Sequence, residues 1–311
     1  MAETFVVPQS LIDTYAREGA VLIPQPFGAH WIDGMIERVE RIVHDWEAGS
    51  QAFPVMRRNG AMGIQNVILR DPFFRRWATG SPVASIVAQV TGSRRVRFYF
   101  DNFFIKEGRG EENGTQLHHD VPAFGFQGTQ LPSFWLALTD VDMDNAPLVT
   151  YAGSQGDFRH RFRSPAQKPG LPLLPGYREP REIPDYLAEG GYEKRIHVAR
   201  KGDVIMVNPY TIHASLHQPS DGQARLRIGF SSRWLGDDVT WQGSLYHEVE
   251  ASTHPRPLAP GEAPPDDWFP VVWDRDLGPV AERTGRFTTH VTLEPRKGYH
   301  TTLEGDRPRP A

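Results

Sequence analysis

The chain has 311 residues, 39% hydrophobic and 23% charged, with a formal net charge of −4. That length suits one large domain with a sizeable core, and the near-balanced charge excludes a nucleic-acid binder working through a strongly basic face. Cysteine is absent, which excludes disulfides, iron–sulfur clusters and thiol nucleophiles. With no apolar run of membrane-spanning length and no basic segment leading into an apolar core at the N-terminus, the expectation is a soluble, cytoplasmic protein without a membrane partner.

Residues 9–18 read as a short helix ending at Gly19, followed by an apolar strand at 20–23 that Pro24 and Pro26 close. Residues 30–47 carry Trp31, Met35, Ile36, Val39, Ile42, Val43 and Trp46 at helical spacing, and Gly49 stops that helix. Residues 50–70 read as a loop and an edge strand on a pocket rim, with Arg57 and Arg58 as solvated surface residues or anchors for an acidic substrate. A helix at 82–91 leads into the alternating strand 95–106, which contains Asn102.

The stretch Gln116-Leu-His-His-Asp120 is the chemical centre of the chain. As a strand it places Gln116, His118 and Asp120 on one face, with Leu117 and His119 on the other. An imidazole and a carboxylate two residues apart can grip one metal ion, and a third donor must come from elsewhere. His213 is the best candidate, ten residues after Asp203, with His217 as its rival and His119 read as structural. Two histidines and one carboxylate form the facial triad of non-haem iron(II) oxygenases, which leaves coordination positions open.

Further along, the strand 133–142 puts Ser133, Trp135, Ala137 and Thr139 on one face, and Phe124 and Phe126 either wall a pocket or plug a barrel end. Residues 156–194, rich in Pro and Gly, read as a lid or insertion, with Arg159, His160, Arg161, Arg163 and Lys168 as a solvated face or an anionic-substrate surface. Strands are expected at 195–199, 203–208 and 224–234, the last carrying Arg225 and Arg227. An arginine there can bind a carboxylate bidentately. Residues 240–290 are expected to wrap the core. The charged tail 291–311 is expected to be poorly ordered unless it docks on a partner subunit in a homo-oligomer.

The order His-x-Asp, Gly-Asp with a histidine ten residues on, then an arginine on the following strand resembles the phytanoyl-CoA dioxygenase family. Ser133–Asp142, the Asn145–Gln155 segment and Trp234–Asp238 match as well, and the resemblance covers residues 8–275. It implies a single domain over 1–290, mainly β with flanking helices, built on a double-stranded β-helix, a jelly-roll barrel of the cupin type. It further implies Fe(II) held by His118, Asp120 and His213, with 2-oxoglutarate and O2 as co-substrates. By the same resemblance Arg225 anchors the far carboxylate of 2-oxoglutarate, with Arg227 on the same face as the alternative, and Trp135, Asn102 and Gln116 lie around it. The implied reaction is hydroxylation of an unactivated C–H bond of a small molecule, with an anion among the options, releasing succinate and CO2. Related halogenases have a small residue at the Asp120 position, so the carboxylate favours hydroxylation, desaturation or ring chemistry. The sequence leaves two other readings open: a non-catalytic cupin-like protein binding a ligand or Zn(II), and a hydrolytic or isomerising metal enzyme on the same barrel.

Overall fold

The computed structural model describes residues 3–58, 60–107, 114–156, 161–163, 176–219, 223, 225–242 and 258–280. The chain begins with helix α1 (Gln9–Glu18), strand β1 (Ala20–Ile23), helix α2 (Ala29–Glu47) and the strands β2 (Val55–Arg58) and β3 (Ala61–Gln65). Helices α3 (Pro72–Gly80) and α4 (Val83–Thr91) lead to the long strand β4 (Arg95–Lys106), then β5 (Thr115–His118), β6 (Phe126–Gln127), β7 (Ser133–Ala137) and β8 (Leu148–Ala152). The short strands β9 (Arg161–Phe162) and β10 (Tyr177–Arg178) precede α5 (Ile183–Gly190). Strands β11 (Glu193–His197), β12 (Val204–Val207), β13 (His213–Ser215) and β14 (Arg227–Leu235) follow, with β15 (Thr240–Trp241), β16 (Val271–Asp274) and β17 (Gly278–Pro279) last.

Two antiparallel sheets make the double-stranded β-helix. The larger runs β1-β12-β7-β14-β4-β16-β17, with β3 and β2 added beside β4, and the smaller runs β11-β8-β13-β5. Side-chain alternation divides the work of the larger sheet. From β4, β7 and β14, Phe98, Phe103, Phe134, Leu136, Phe230 and Trp234 point outward into one apolar cluster with the helices. In α2 the buried positions are Ile32, Met35, Val39, Ile42 and Trp46, steps of three and four that keep one stripe on the sheet. The intervening residues point inward: Phe100, Asn102, Phe104 and Lys106 on β4, Ser133 and Trp135 on β7, and Arg227, Gly229, Ser231 and Arg233 on β14. Registers Arg227↔Lys106, Ser231↔Asn102 and Arg233↔Phe100, with Ser231↔Trp135 and Arg233↔Ser133, set these side by side.

Helix α1, α2, α4 and strands β1 and β4 match the sequence-based expectations closely. Helix α3 was not expected, although its start is written locally. Asp71 caps it, accepting from the Phe73 N–H at 2.8 Å, and Pro72 occupies the first turn. The strand expected over 133–142 ends at Ala137. Strand β14 begins at Arg227, later than expected, with consequences described below. Among the described residues no helix is long and apolar enough to cross a membrane. Arg159, His160 and Lys168 of the basic segment, and the tail 291–311, lie outside the described residues.

Candidate metal centre

The expected strand does not continue through the metal motif. β5 stops at His118, and Asp120 sits in a turn with helical backbone angles ahead of a 3-10 turn at Val121–Ala123. Pro122 cannot extend the ladder, and the N–H groups of Asp120 and Val121 both bond to the Pro209 carbonyl, at 2.9 and 3.2 Å. This bend, rather than strand alternation, brings Asp120 back beside His118. β13 pairs with β5 so that His213 lies opposite His118.

The result is a compact donor set: one ligand atom each from His118, Asp120 and His213, all within 4.8 Å of one another. His118 Nε2 and His213 Nε2 each lie 3.8 Å from Asp120 Oδ1. The other ring nitrogens are taken: His118 Nδ1 lies 2.8 Å from the Gln116 carbonyl, and His213 Nδ1 2.9 Å from the Thr211 carbonyl. A carbonyl accepts only, so each Nδ1 carries the proton and each Nε2 presents its lone pair to the centre. Burial, then His213, hold His118 at about 4, so it is neutral and free to ligate at physiological pH. Burial pushes the Asp120 carboxyl up, but His213, Arg233, His118 and the Ser133 hydroxyl together outweigh it and keep the group ionised. Ser133 donates to Asp120 Oδ2, turning the other oxygen toward the histidines. Two imidazoles with Nε2 facing the centre and one buried carboxylate fit a divalent first-row metal and leave part of its sphere open.

The remaining expected residues fall in different places. Asn102 is buried on the inward face and accepts a hydrogen bond from Arg233. Trp135 is buried, with its ring 4.8 Å from the Arg227 guanidinium carbon. A Cβ at position 229 would lie 2.3 Å from that ring, so only glycine lets the indole lie flat on β14. The Gln116 side chain is exposed, and the residue serves the centre through its backbone carbonyl instead. His217 is exposed and takes no part in the donor set.

Arg225 is the main correction. Its guanidinium is on the surface, 2.5 Å from Asp142 Oδ2, and not in the barrel. The Gln218 side chain holds its backbone, donating to the Arg225 carbonyl at 2.6 Å and accepting its N–H at 2.8 Å. The segment is thus pinned outside the sheet, and alternation starts only at Arg227. Arg227 is 2% exposed, and its Nε and one terminal nitrogen have no hydrogen-bond partner. Lys106 lies beside it, also buried, donating to Ser215 Oγ at 2.5 Å, and Ser215 in turn bonds Thr115 Oγ1 at 2.9 Å. Burial, then Arg227, push Lys106 down to about 7, while burial alone lowers Arg227 to about 10. Neither Lys106, Ser215 nor Arg233 stood out in the sequence. An alternation count along β4 and β14 could have found the two cations, because a charge at an inward barrel position needs a reason.

His119 plays a structural part. Its Nε2 accepts the Phe162 N–H at 2.8 Å, joining the metal loop to β9. Burial holds His119 at about 3, and burial likewise holds His197 at about 4. Both stay neutral when folded, whereas the unfolded chain takes up protons below about pH 6.5. Stability is therefore full above that value and falls as pH drops from about 6.5 towards 4, approaching ~1.4 kcal/mol per pH unit for each group. The melting temperature should drop across this window, and His119→Gln, which keeps an acceptor for Phe162, should flatten the slope. An unchanged slope in the variant would remove His119 from the account.

Known structures share this fold. The chain aligns with the α-ketoglutarate-dependent epimerase SnoN of nogalamycin biosynthesis at a TM-score of 0.62 and 20% identity, over 85% of this chain and 97% of that one. The carbocyclase SnoK from the same biosynthesis gives 0.62 and 17% identity, over 83% and 94%. EctD from S. alaskensis, crystallised with 2-oxoglutarate and 5-hydroxyectoine, gives 0.58 and 15% identity, over 83% and 86%. No curated protein matches the chain. Residues 15–226 match the model of the phytanoyl-CoA dioxygenase family, and the chain belongs to that family.

Proposed function

We propose that the protein is an Fe(II)- and 2-oxoglutarate-dependent oxygenase that hydroxylates an unactivated C–H bond of a small molecule. One observation carries the reading: the His118–Asp120–His213 donor set is linked along β13, two residues on at Ser215, to a buried cation pair that no carboxylate neutralises. Among the described residues no acidic group pairs with Arg227 or Lys106, and burying such charges uncompensated is costly. Ser215, which Lys106 grips, is two residues from His213, roughly 6–7 Å along β13. A short dicarboxylate held at the metal by one end therefore finds Arg227, Lys106 and Ser215 at the other. A ligand-storing or Zn(II)-binding cupin, or a hydrolase using water alone, has no use for that pair. SnoN, SnoK and EctD are named with the same co-substrate or crystallised with it, which supports the assignment.

When bound, Fe(II) with 2-oxoglutarate and O2 supplies oxidative cleavage of a C–H bond, with succinate and CO2 released. The chain's own part is positioning and exclusion. His118, Asp120 and His213 hold the metal on one side, and Ser133 fixes the carboxylate. Arg227 anchors the far carboxylate, and the Trp135 ring packs against its guanidinium and keeps water from that end. Lys106 adds a second cation whose charge depends on occupancy. An anion between Arg227 and Lys106 favours the protonated amine, so affinity for 2-oxoglutarate is greatest below about pH 7 and declines as pH rises above it. Lys106→Met should abolish this pH dependence and raise the 2-oxoglutarate KM. A KM that stays pH-independent between 6 and 8.5 in the unaltered protein would remove Lys106 from the subsite.

Two measurements test the reading. Anaerobic titration of the metal-free protein with Fe(II) and then 2-oxoglutarate should give a saturable visible charge-transfer band, and its absence would favour the storage or hydrolytic alternatives. Turnover under 18O2 should place label in the product. Since SnoN is an epimerase and SnoK a carbocyclase, a product without new oxygen would move the outcome to epimerisation or ring closure.

A further inference from the structure

We infer that the substrate carries a carboxylate or comparable anion on an apolar, ring-bearing body, and that Arg233 is the residue that binds it. The inference rests on the oxygenase reading above and deepens it by naming a substrate class.

Arg233 is on the inward face of β14, in register with Phe100 on β4 and Ser133 on β7. Through Ser133, which donates to Asp120, it stands next to the metal ligands. It is 8% exposed. Asn102 accepts from one terminal nitrogen, while Nε has no partner. Among the described residues no carboxylate forms an ion pair with it. Asp120 attracts it most strongly but is committed to the two histidines and Ser133. Asp101, which also attracts Arg233 at longer range, points outward and accepts the N–H groups of Val67 and Ile68 at 2.7 and 3.0 Å. A guanidinium so buried and so sparsely bonded matches the planar, bidentate demand of a carboxylate.

Its surroundings supply the rest of the specificity. The guanidinium carbon lies 4.9 Å from the Phe100 ring centroid and 5.9 Å from those of Phe104 and Phe124. Phe104 remains 37% exposed, so this aromatic wall opens outward. Rings around a cation favour a ligand whose charged end meets the guanidinium and whose apolar body packs along the phenyl faces. The co-substrate does not explain Arg233. Six residue steps separate it from Arg227, roughly 20 Å along a strand. That is far longer than a five-carbon dicarboxylate, so the two arginines form separate anion poles with the metal ligands between them.

The test uses the full chain and three probes: 3-phenylpropanoate, phenylacetate and 3-phenylpropanamide, with binding read by calorimetry. Calorimetry needs no turnover. Both acids should bind, with the amide at least tenfold weaker than its acid. Arg233→Gln should lose at least tenfold in acid affinity, and Arg233→Lys should recover part of it. The 2-oxoglutarate-induced visible band should keep its midpoint within about threefold in Arg233→Lys, which retains the positive charge beside Asp120. Equal affinity for acid and amide in the unaltered protein would overturn the proposal without any variant having to fold. So would no acid binding in a protein that shows the band, or a 2-oxoglutarate midpoint that rises in Arg233→Gln while acid affinity stays. Acid binding through Arg233 in a protein without the band would support the anion site while sinking the co-substrate reading.

Discussion

Replacing Asp120 with alanine is expected to abolish Fe(II) retention and substrate-linked succinate formation together. The carboxylate is the only anionic donor of the triad, and it is buried with its charge held by His213, Arg233, His118 and the Ser133 hydroxyl. Even loss of groups that merely orient ligands costs about 10–100-fold in metal affinity or activity. Loss of a ligand should cost more, at least ~100-fold in the same quantities. His213→Ala should do the same through a different element, since His213 comes from β13 and Asp120 from the turn after β5. Ser133→Ala should be milder, because it frees one Asp120 oxygen without removing a donor. Metal content, the anaerobic Fe(II)–2-oxoglutarate band and succinate release should fall in the same order across the three variants. Unchanged turnover in Asp120→Ala would end the metal assignment.

The second large effect concerns the two arginines. Arg227→Met should raise the 2-oxoglutarate KM by on the order of 100-fold, the loss of about 3 kcal/mol of charge-assisted hydrogen bonding. Its effect on folding should have the opposite sign. The native guanidinium is buried with two nitrogens unbonded, and replacing such a group by an apolar one of similar volume is often neutral or stabilising. The ligand-free variant should therefore melt at the same temperature as the parent or higher. Arg225→Ala should leave the KM unchanged, since it removes only an exposed ion pair with Asp142, worth about 0–1 kcal/mol. A KM that moves in Arg225→Ala but not in Arg227→Met would reverse this assignment of anchor.

The contrast between Arg225 and Arg227 shows what the sequence carries and what it hides. Helical spacing in α2, the alternation in β4 and the His-x-Asp pattern are local features, and each was legible from neighbours in the chain. The donor set was legible too, although the reason given for it was not. Alternation was expected to align His118 with Asp120, whereas a turn pinned by the Pro209 carbonyl does so. Which arginine enters the barrel was obscured because two arginines two residues apart look equivalent until the strand start is known. That start depends on Gln218, whose side chain clamps the backbone at position 225, a contact with no periodic signature. Lys106, Ser215 and Arg233 were hidden for a related reason. Each gains its meaning from cross-strand register, and register between strands more than a hundred residues apart is a tertiary fact.

Strand β14 meets the helices with one edge of its alternation and the barrel interior with the other. Phe230 and Trp234 lock the outer side against Phe74, Phe103, Trp77 and Phe98. The span between Arg227 and Arg233 is therefore set by backbone rise and cannot be tuned by choosing other side chains. β14 behaves as a ruler. With Arg233 as the proposed anion site, molecules would be sorted by the distance from their charged end to the bond presented at the centre, and exchanging wall residues would change what fits sideways while leaving that length untouched.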